Sequence, residues 1–175
     1  GRQADASPSP EQPGAKPAEP WTQQRFPYAE ITFGGDWKKE GDELLQASQE
    51  VKNTGICFGN PAWSRYNLSF KAMAEAGRTA FAVAWHTSED NQNFRVLRFG
   101  WQGEHELSRF IDGNPDDSKI ETLPGVIDRG KWYDVRIEVR DVDCRCYLND
   151  EYLRTFDKPD PQFTSGRTGL GGFAT

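Results

Sequence analysis

The chain reads as all-β, a two-sheet antiparallel β-sandwich. Two observations predict this class. Ten or so short stretches alternate apolar and polar residues with period two, the pattern of half-buried strands, and turn residues recur every 8 to 12 positions with no long helical period. Six Trp and eleven Phe supply a core for a chain whose mean hydropathy is only −0.81.

The segment 1–20 is set apart. It holds five prolines and no aromatic residue, so it cannot bury enough surface to offset the entropy of ordering it. It is expected to be a Pro-rich disordered linker, with residues 21–175 forming the sandwich. The sequence opens on Gly1 rather than Met and reads as a segment cut from something longer. Pro-rich tethers commonly follow a signal peptide, a membrane anchor or another domain, so an extracytoplasmic setting (secreted, periplasmic or surface-tethered) is expected.

Trp21 to Phe33 enters the domain as an edge strand, with Ile31 and Phe33 inward, and Gly34-Gly35-Asp36 turns the chain. Short strands follow at Glu43 to Ala47 and at Gly55 to Gly59, the latter with Ile56 and Phe58 opposite Cys57. Arg65 to Glu75 alternates most cleanly, with Tyr66, Leu68, Phe70, Ala72 and Ala74 on one face. In Thr79 to Thr87, Phe81, Val83 and Trp85 alternate with Ala80, Ala82, Ala84 and His86, as a strand central in its sheet would. Its small residues predict the floor of a shallow groove with His86 at one end.

Glu89 to Asn93 is a polar loop. Phe94 to Trp101 then places Arg95, Leu97, Phe99 and Trp101 on one face and Phe94, Val96 and Arg98 on the other. Shorter strands are expected near His105 to Ile111 and Ile120 to Leu123, separated by the acidic turn Asp112 to Asp117. The final meander is the clearest part of the chain. Tyr133, Val135, Ile137 and Val139 alternate with Asp134, Arg136, Glu138 and Arg140, a solvent-facing ladder of opposite charges. Cys144, Cys146 and Leu148 point inward, and Asn149-Asp150 provides a tight reversal into Glu151 to Phe156.

These residues also carry a resemblance. The G-x-W-Y-x-V-x-V strand (Gly130, Trp132, Tyr133, Val135, Ile137), the Y-L-N-D turn (Tyr147 to Asp150) and the late G-R-x-G-L (Gly166, Arg167, Gly169, Leu170) resemble the concanavalin A-like, laminin-G-like jelly-roll superfamily. Within it, the chain is most similar to the bacterial domains of unknown function partly renamed 3-keto-disaccharide hydrolases. Gly35-Asp36-Trp37 with Gly41, and Trp63 to Tyr66, fit the same layout over roughly residues 30 to 173. The resemblance implies a further terminal strand running past Gly169-Leu170, so part of it is expected to be missing at Thr175 or supplied from elsewhere. That group carries an N-S-G-[IV]-x-x-R strand and a Y-E-x-Q-I-x-D strand. The corresponding strands here, Thr79 to Trp85 and Asn93 to Phe99, lack the Arg and the acidic pair, so the hydrolase activity is not carried over.

Chemistry elsewhere is sparse. A formal net charge of −6 argues against nucleic acid or an anionic membrane surface as partner, and no apolar run approaches membrane-spanning length. Glycoside hydrolysis needs two carboxyl groups across a sugar. Glu104 and Glu106 have a suitable spacing but read as a solvated strand end beside His105. No G-x-S-x-G or H-E-x-x-H motif is present. The acidic turn with Asp90 is the candidate Ca²⁺ loop, but without D-x-D-x-D-G spacing it reads as solvated, and no cofactor is expected. Three cysteines leave two readings open, three buried thiols or a bridge from Cys57 to Cys144 or Cys146; zinc is disfavoured because neither His is spaced near a Cys pair.

What the sequence offers is a surface suited to carbohydrate, which is bound by aromatic rings over C–H faces and planar polar groups paired with hydroxyls. The candidate carbohydrate-binding residues are His86, Asn91, Asn93, Arg95, Arg98 and Trp101 on the concave face. Trp101, beside Gln102-Gly103 at a strand end, is the candidate platform, while Trp85 and Trp132 are assigned to the core. The expected function is a glycan-binding or adhesion module without catalysis, with a 3-keto-disaccharide-type glycoside hydrolase and a protein-interaction domain as alternatives.

Overall fold

The structure is a computed structural model that describes residues 31–32, 34–47, 54–76, 81–140, 143–157 and 162–172. The expected linker and most of the expected first edge strand lie outside these residues. The strands are β1 (Ile31–Thr32), β2 (Trp37–Glu40), β3 (Glu43–Gln46), β4 (Thr54–Phe58), β5 (Tyr66–Ala72), β6 (Phe81–Thr87), β7 (Phe94–Trp101), β8 (Glu104–Ile111), β9 (Asn114–Pro115), β10 (Glu121–Pro124), β11 (Tyr133–Val139), β12 (Asp143–Leu148), β13 (Glu151–Asp157) and β14 (Arg167–Gly172). A 3₁₀ turn covers Asp117–Lys119.

Two sheets face each other. The larger runs β1-β4-β14-β6-β7-β8-β10, with β9 on β8, and the smaller runs β13-β12-β11-β5; β2 and β3 form a separate hairpin. Every pairing is antiparallel. β14 brings the end of the described chain back to the middle of the larger sheet, between β4 and β6. Gly169 fits that insertion closely, since a Cβ there would sit 3.0 Å from Cys57 Sγ and 3.1 Å from the Ile56 carbonyl.

Between the sheets lies the main core. Phe81, Val83, Trp85, Leu97, Phe99 and Leu107 pack against Tyr66, Tyr133, Val135, Ile137, Val139, Cys144, Cys146 and Phe156. The alternation of each strand dictates this, since one residue in two must leave water and the facing sheet supplies the partner surface. Asn149 and Asp150 turn β12 into β13 at φ 52° and 62°, the left-handed pair that a two-residue hairpin requires. Cys57, Cys144 and Cys146 are buried free thiols.

Two expectations need correction here. Trp132 is 48% exposed, because β11 begins at Tyr133 and the indole precedes the alternating run. The charge ladder is also not fully solvated. Glu138 is only 8% exposed, clamped by Arg136 on one side and Arg140 Nη2 at 3.0 Å on the other, while Arg136 lies 3.6 Å from the centre of the Tyr147 ring.

β6 is buried on both faces. Its second face, with Ala82 and Ala84, joins Val96, Phe110 and Phe94 in a smaller apolar cluster. That cluster lies on the outer side of the larger sheet, and the candidate site is built on it.

Candidate carbohydrate site

The site is assembled by the β7-β8 hairpin. Register places Phe94 opposite Phe110, Val96 opposite Ser108 and Arg98 opposite Glu106, and directly opposed residues of an antiparallel pair share a face. Phe94 and Phe110 stack with centroids 4.6 Å apart and planes 11° from parallel. Arg98 then lies across the strip, its guanidinium carbon 5.6 Å from the Phe110 ring centre and 5.8 Å from that of Trp101. Its Nη1 ion-pairs with Glu106 and donates to Ser108 Oγ at 3.0 Å. Arg98 and Glu106 are each 12% exposed at the side chain, so the fork is held in one orientation before any ligand arrives.

Trp101 reaches this face through an irregularity. Strict alternation would group it with Leu97 and Phe99, which the structure places in the core. Instead the register slips between Arg98 and Trp101, so that Trp101 opposes Glu104. Gly100 takes φ 73°, and the extra residue of this β-bulge turns the indole to the side of Arg98.

Beside the strip is a cavity of about 260 Å³. Ala82, Ala84, Val96, Phe94 and Phe110 give it an apolar floor and wall, and Asp90, Asn91 and Gln92 form its polar rim. The rim loop is braced from several directions. Arg167 Nη2 donates to the carbonyls of Ser88 and Glu89 at 3.2 and 2.5 Å, Asn91 N donates to Ser88 O at 3.1 Å, and Gly113 N donates to Gln92 O at 2.9 Å. Hydrogen bonds from Ser88, and then from the Gln92 amide, hold the Asp90 carboxyl below its usual range. Asn91, at φ 58°, has a buried Oδ1 with no hydrogen-bond partner among the described residues.

The six sequence candidates therefore divide. Arg98 and Trp101 lie together on the strip, and Asn91 stands on the rim of the cavity. Asn93 is a brace, its Oδ1 accepting from Asp112 N at 3.2 Å and its backbone carbonyl from Ser88 N at 2.9 Å. Arg95 is on the wrong face for the groove. It opposes Trp85 and lies 5.7 Å from that core indole, as an odd separation from Arg98 along a strand requires.

His86 also departs from its expected place at the groove end. A register slip between β6 and β14 and φ 52° at His86 remove it from the alternation of Ala82 and Ala84. It is 8% exposed, near the backbones of Ser64 and Phe163, yet neither ring nitrogen closes a well-formed hydrogen bond among the described residues. Burial first, and the charge of Arg95 in addition, lower its pKa below 6.5.

Glu106, Ser108, Phe94 and Phe110 were missed. Glu106 is not part of a solvated strand end, because Arg98 covers it. The signal lay in the Gln102-Gly103 turn, at φ 51° and 88°, which fixes which residues of β7 and β8 meet.

A broader dip of about 410 Å³ on the outer side of the smaller sheet is lined by Ser69, Phe70, Lys71, Asp134, Val135, Arg136 and Asp150. Of its charges, Lys71 pairs with Asp134 at 3.1 Å and Arg136 with the neighbouring Glu138, and Arg136 also lies over the nearby Tyr147 ring. It offers a ligand less than the larger sheet does.

No family model matches the chain. Among solved structures, it is similar to the carbohydrate-binding module CBM66 from Bacillus subtilis, with TM-score 0.72 and 17% identity over 84% of this chain and 89% of that one. It is also similar to the Caenorhabditis elegans galectin LEC-6 (TM-score 0.54, 9% identity, 71% and 86% covered) and to sheep galectin-11 in complex with glycerol (TM-score 0.51, 13% identity, 68% and 88% covered). The fold is a concanavalin A-like jelly roll. In sequence, 135 residues are 27% identical to an extracellular exo-alpha-L-arabinofuranosidase of Streptomyces chartreusis. The match covers 75% of this chain and only 16% of that enzyme.

Proposed function

We propose that this jelly roll is a carbohydrate-binding module whose site is the outer face of the larger sheet. The observation that carries the reading is the continuous strip of Trp101, Arg98, Glu106 and Phe110, opening onto a cavity with an apolar floor and a polar rim. A pyranose or furanose ring presents C–H groups on its faces and hydroxyls at its edge. Trp101 takes the first, and the Arg98–Glu106 pair, carrying donors and acceptors side by side, takes two neighbouring hydroxyls. Because Arg98 is already fixed by Glu106 and Ser108, little side-chain entropy is lost on binding.

Two likenesses support the reading, to a carbohydrate-binding module in fold and to part of an extracellular glycosidase in sequence. A domain matching 16% of such an enzyme has the size of an accessory module that keeps a separate catalytic unit near its polymer, a gain in effective concentration rather than in chemistry. The setting proposed is extracytoplasmic, with segment 1–20 as tether. No helix among the described residues is long and apolar enough to cross a membrane.

A glycan array followed by isothermal titration tests this. Saturable binding of a glycan, weakened about tenfold or more by both Trp101→Ala and Arg98→Ala, is expected. Binding that survives both substitutions would reject this face as the site.

A further inference from the structure

We infer that His105 is a positioning residue for the carbohydrate site: by accepting the Gly100 N–H, it holds the bulge that turns Trp101 onto the ligand-facing side of the sheet. The inference rests on the functional reading above but concerns a residue on the other face.

A β-bulge leaves one backbone N–H without a ladder partner, and a buried orphan donor is costly. Here the orphan is Gly100 N, and it donates to His105 Nδ1 at 3.1 Å. His105 is 4% exposed and is fixed from both sides. Phe99 meets its ring edge-on at 5.3 Å and 63°. Gly125 lies against it so closely that a Cβ there would come within 2.2 Å of Nε2, and Gly125 is itself held by its N–H donating to Gly103 O at 3.2 Å. Gly100 is wedged in turn, since a Cβ would meet the Ile127 side chain at 3.1 Å. Were the N–H not accepted, regular pairing would send Trp101 back to the core side and leave Arg98 with Phe110 but without the indole.

An accepting Nδ1 requires a neutral ring with its proton on Nε2. The groups packed on the ring from β7 and from the segment after β10 are Phe99, Gly100 and Gly125, and Leu123 lies opposite in register; none is charged. Glu104 and Glu106 adjoin His105 in sequence but stand on the opposite face, Glu104 opposing Trp101 and Glu106 paired with Arg98. Burial lowers the His105 pKa below 6.5, which keeps the acceptor available at neutral pH. Acidification replaces it with a second donor facing Gly100 N–H.

Heteronuclear NMR on the whole chain decides the matter without sugar. The Gly100 amide and Trp101 indole resonances are expected to move together with the midpoint of the His105 ring. In His105→Asn, whose Oδ1 can replace Nδ1 as acceptor, both should stay near their neutral-pH positions and cease to titrate. In His105→Leu both should be displaced at every pH, and affinity for the glycan bound by the wild type should fall about tenfold. Gly100 and Trp101 signals that ignore the His105 titration in the wild type would overturn the inference, even if the Leu variant fails to fold. Should no glycan bind the wild type, the functional reading fails, while the NMR result still decides the coupling of His105 to Trp101.

Discussion

Glu106→Ala should destabilise the domain more than the loss of any exposed acid. Glu106 and Arg98 are each 12% exposed, so the substitution takes the carboxylate away from a nearly buried guanidinium that still donates to Ser108 Oγ. Removing one member of a buried pair costs about 3–5 kcal/mol. Ser108 and the faces of Trp101 and Phe110 still shelter the charge, which favours the lower end, about 3 kcal/mol. For a domain of this size that corresponds to a fall in Tm of about 6–12 °C. Replacing both members, Arg98→Met with Glu106→Leu, removes the stranded charge and should return stability to within about 1 kcal/mol of wild type. The double variant should nevertheless bind no glycan. Urea unfolding followed by fluorescence, with titration calorimetry on each variant, supplies both readouts. A Glu106→Ala variant within about 0.5 kcal/mol of wild type, or a double variant as unstable as the single, would refute the claim that the pair is buried and coupled.

Other outcomes follow from the same geometry. Trp132→Ala should leave glycan affinity and stability nearly unchanged, since that indole is half-exposed and away from the strip, whereas Trp101→Ala should weaken binding with little change in urea midpoint. His86 and His105 both have native pKa values below 6.5. The unfolded chain therefore takes up protons first, and unfolding free energy should fall as pH drops through 6.5, by up to about 1.4 kcal/mol per pH unit for each ring, with no contribution from either above about pH 7.5; urea melts at pH 8, 7, 6 and 5 check this. Burial pushes the Cys57 thiol up to about 11 and Cys146 well above its ordinary value, so a thiol reagent at pH 8 should label these residues only as fast as the protein unfolds.

Much of the fold was legible because alternation is a local signal. β5, β7 and the β11-β12-β13 meander follow directly from residue types such as Tyr66, Leu68 and Phe70, or Val135, Ile137 and Val139. The groove floor was legible for the same reason, Ala82 and Ala84 being small residues on a strand whose other face is Phe81, Val83 and Trp85. The site was harder to read because it depends on breaks in that period. One inserted residue at Gly100 moves Trp101 to the ligand side, and one at His86 takes the imidazole away. Neither break changes the composition of its strand. Arg95 is a different case, since its position an odd number of residues from Arg98 already placed it on the other face. Glu106 was hidden for want of a partner: two Glu flanking a His near a turn look solvated until register sets Arg98 opposite one of them.

The central claim is that glycan binds the outer face of the larger sheet. Chemical-shift mapping with a glycan selected by array tests it most directly. Perturbations gathered at the Trp101 indole, the Arg98 guanidinium and the Asn91 amide are predicted. Perturbations gathered instead around Lys71, Arg136 and Tyr147 on the smaller sheet, or none at saturating glycan, would contradict it.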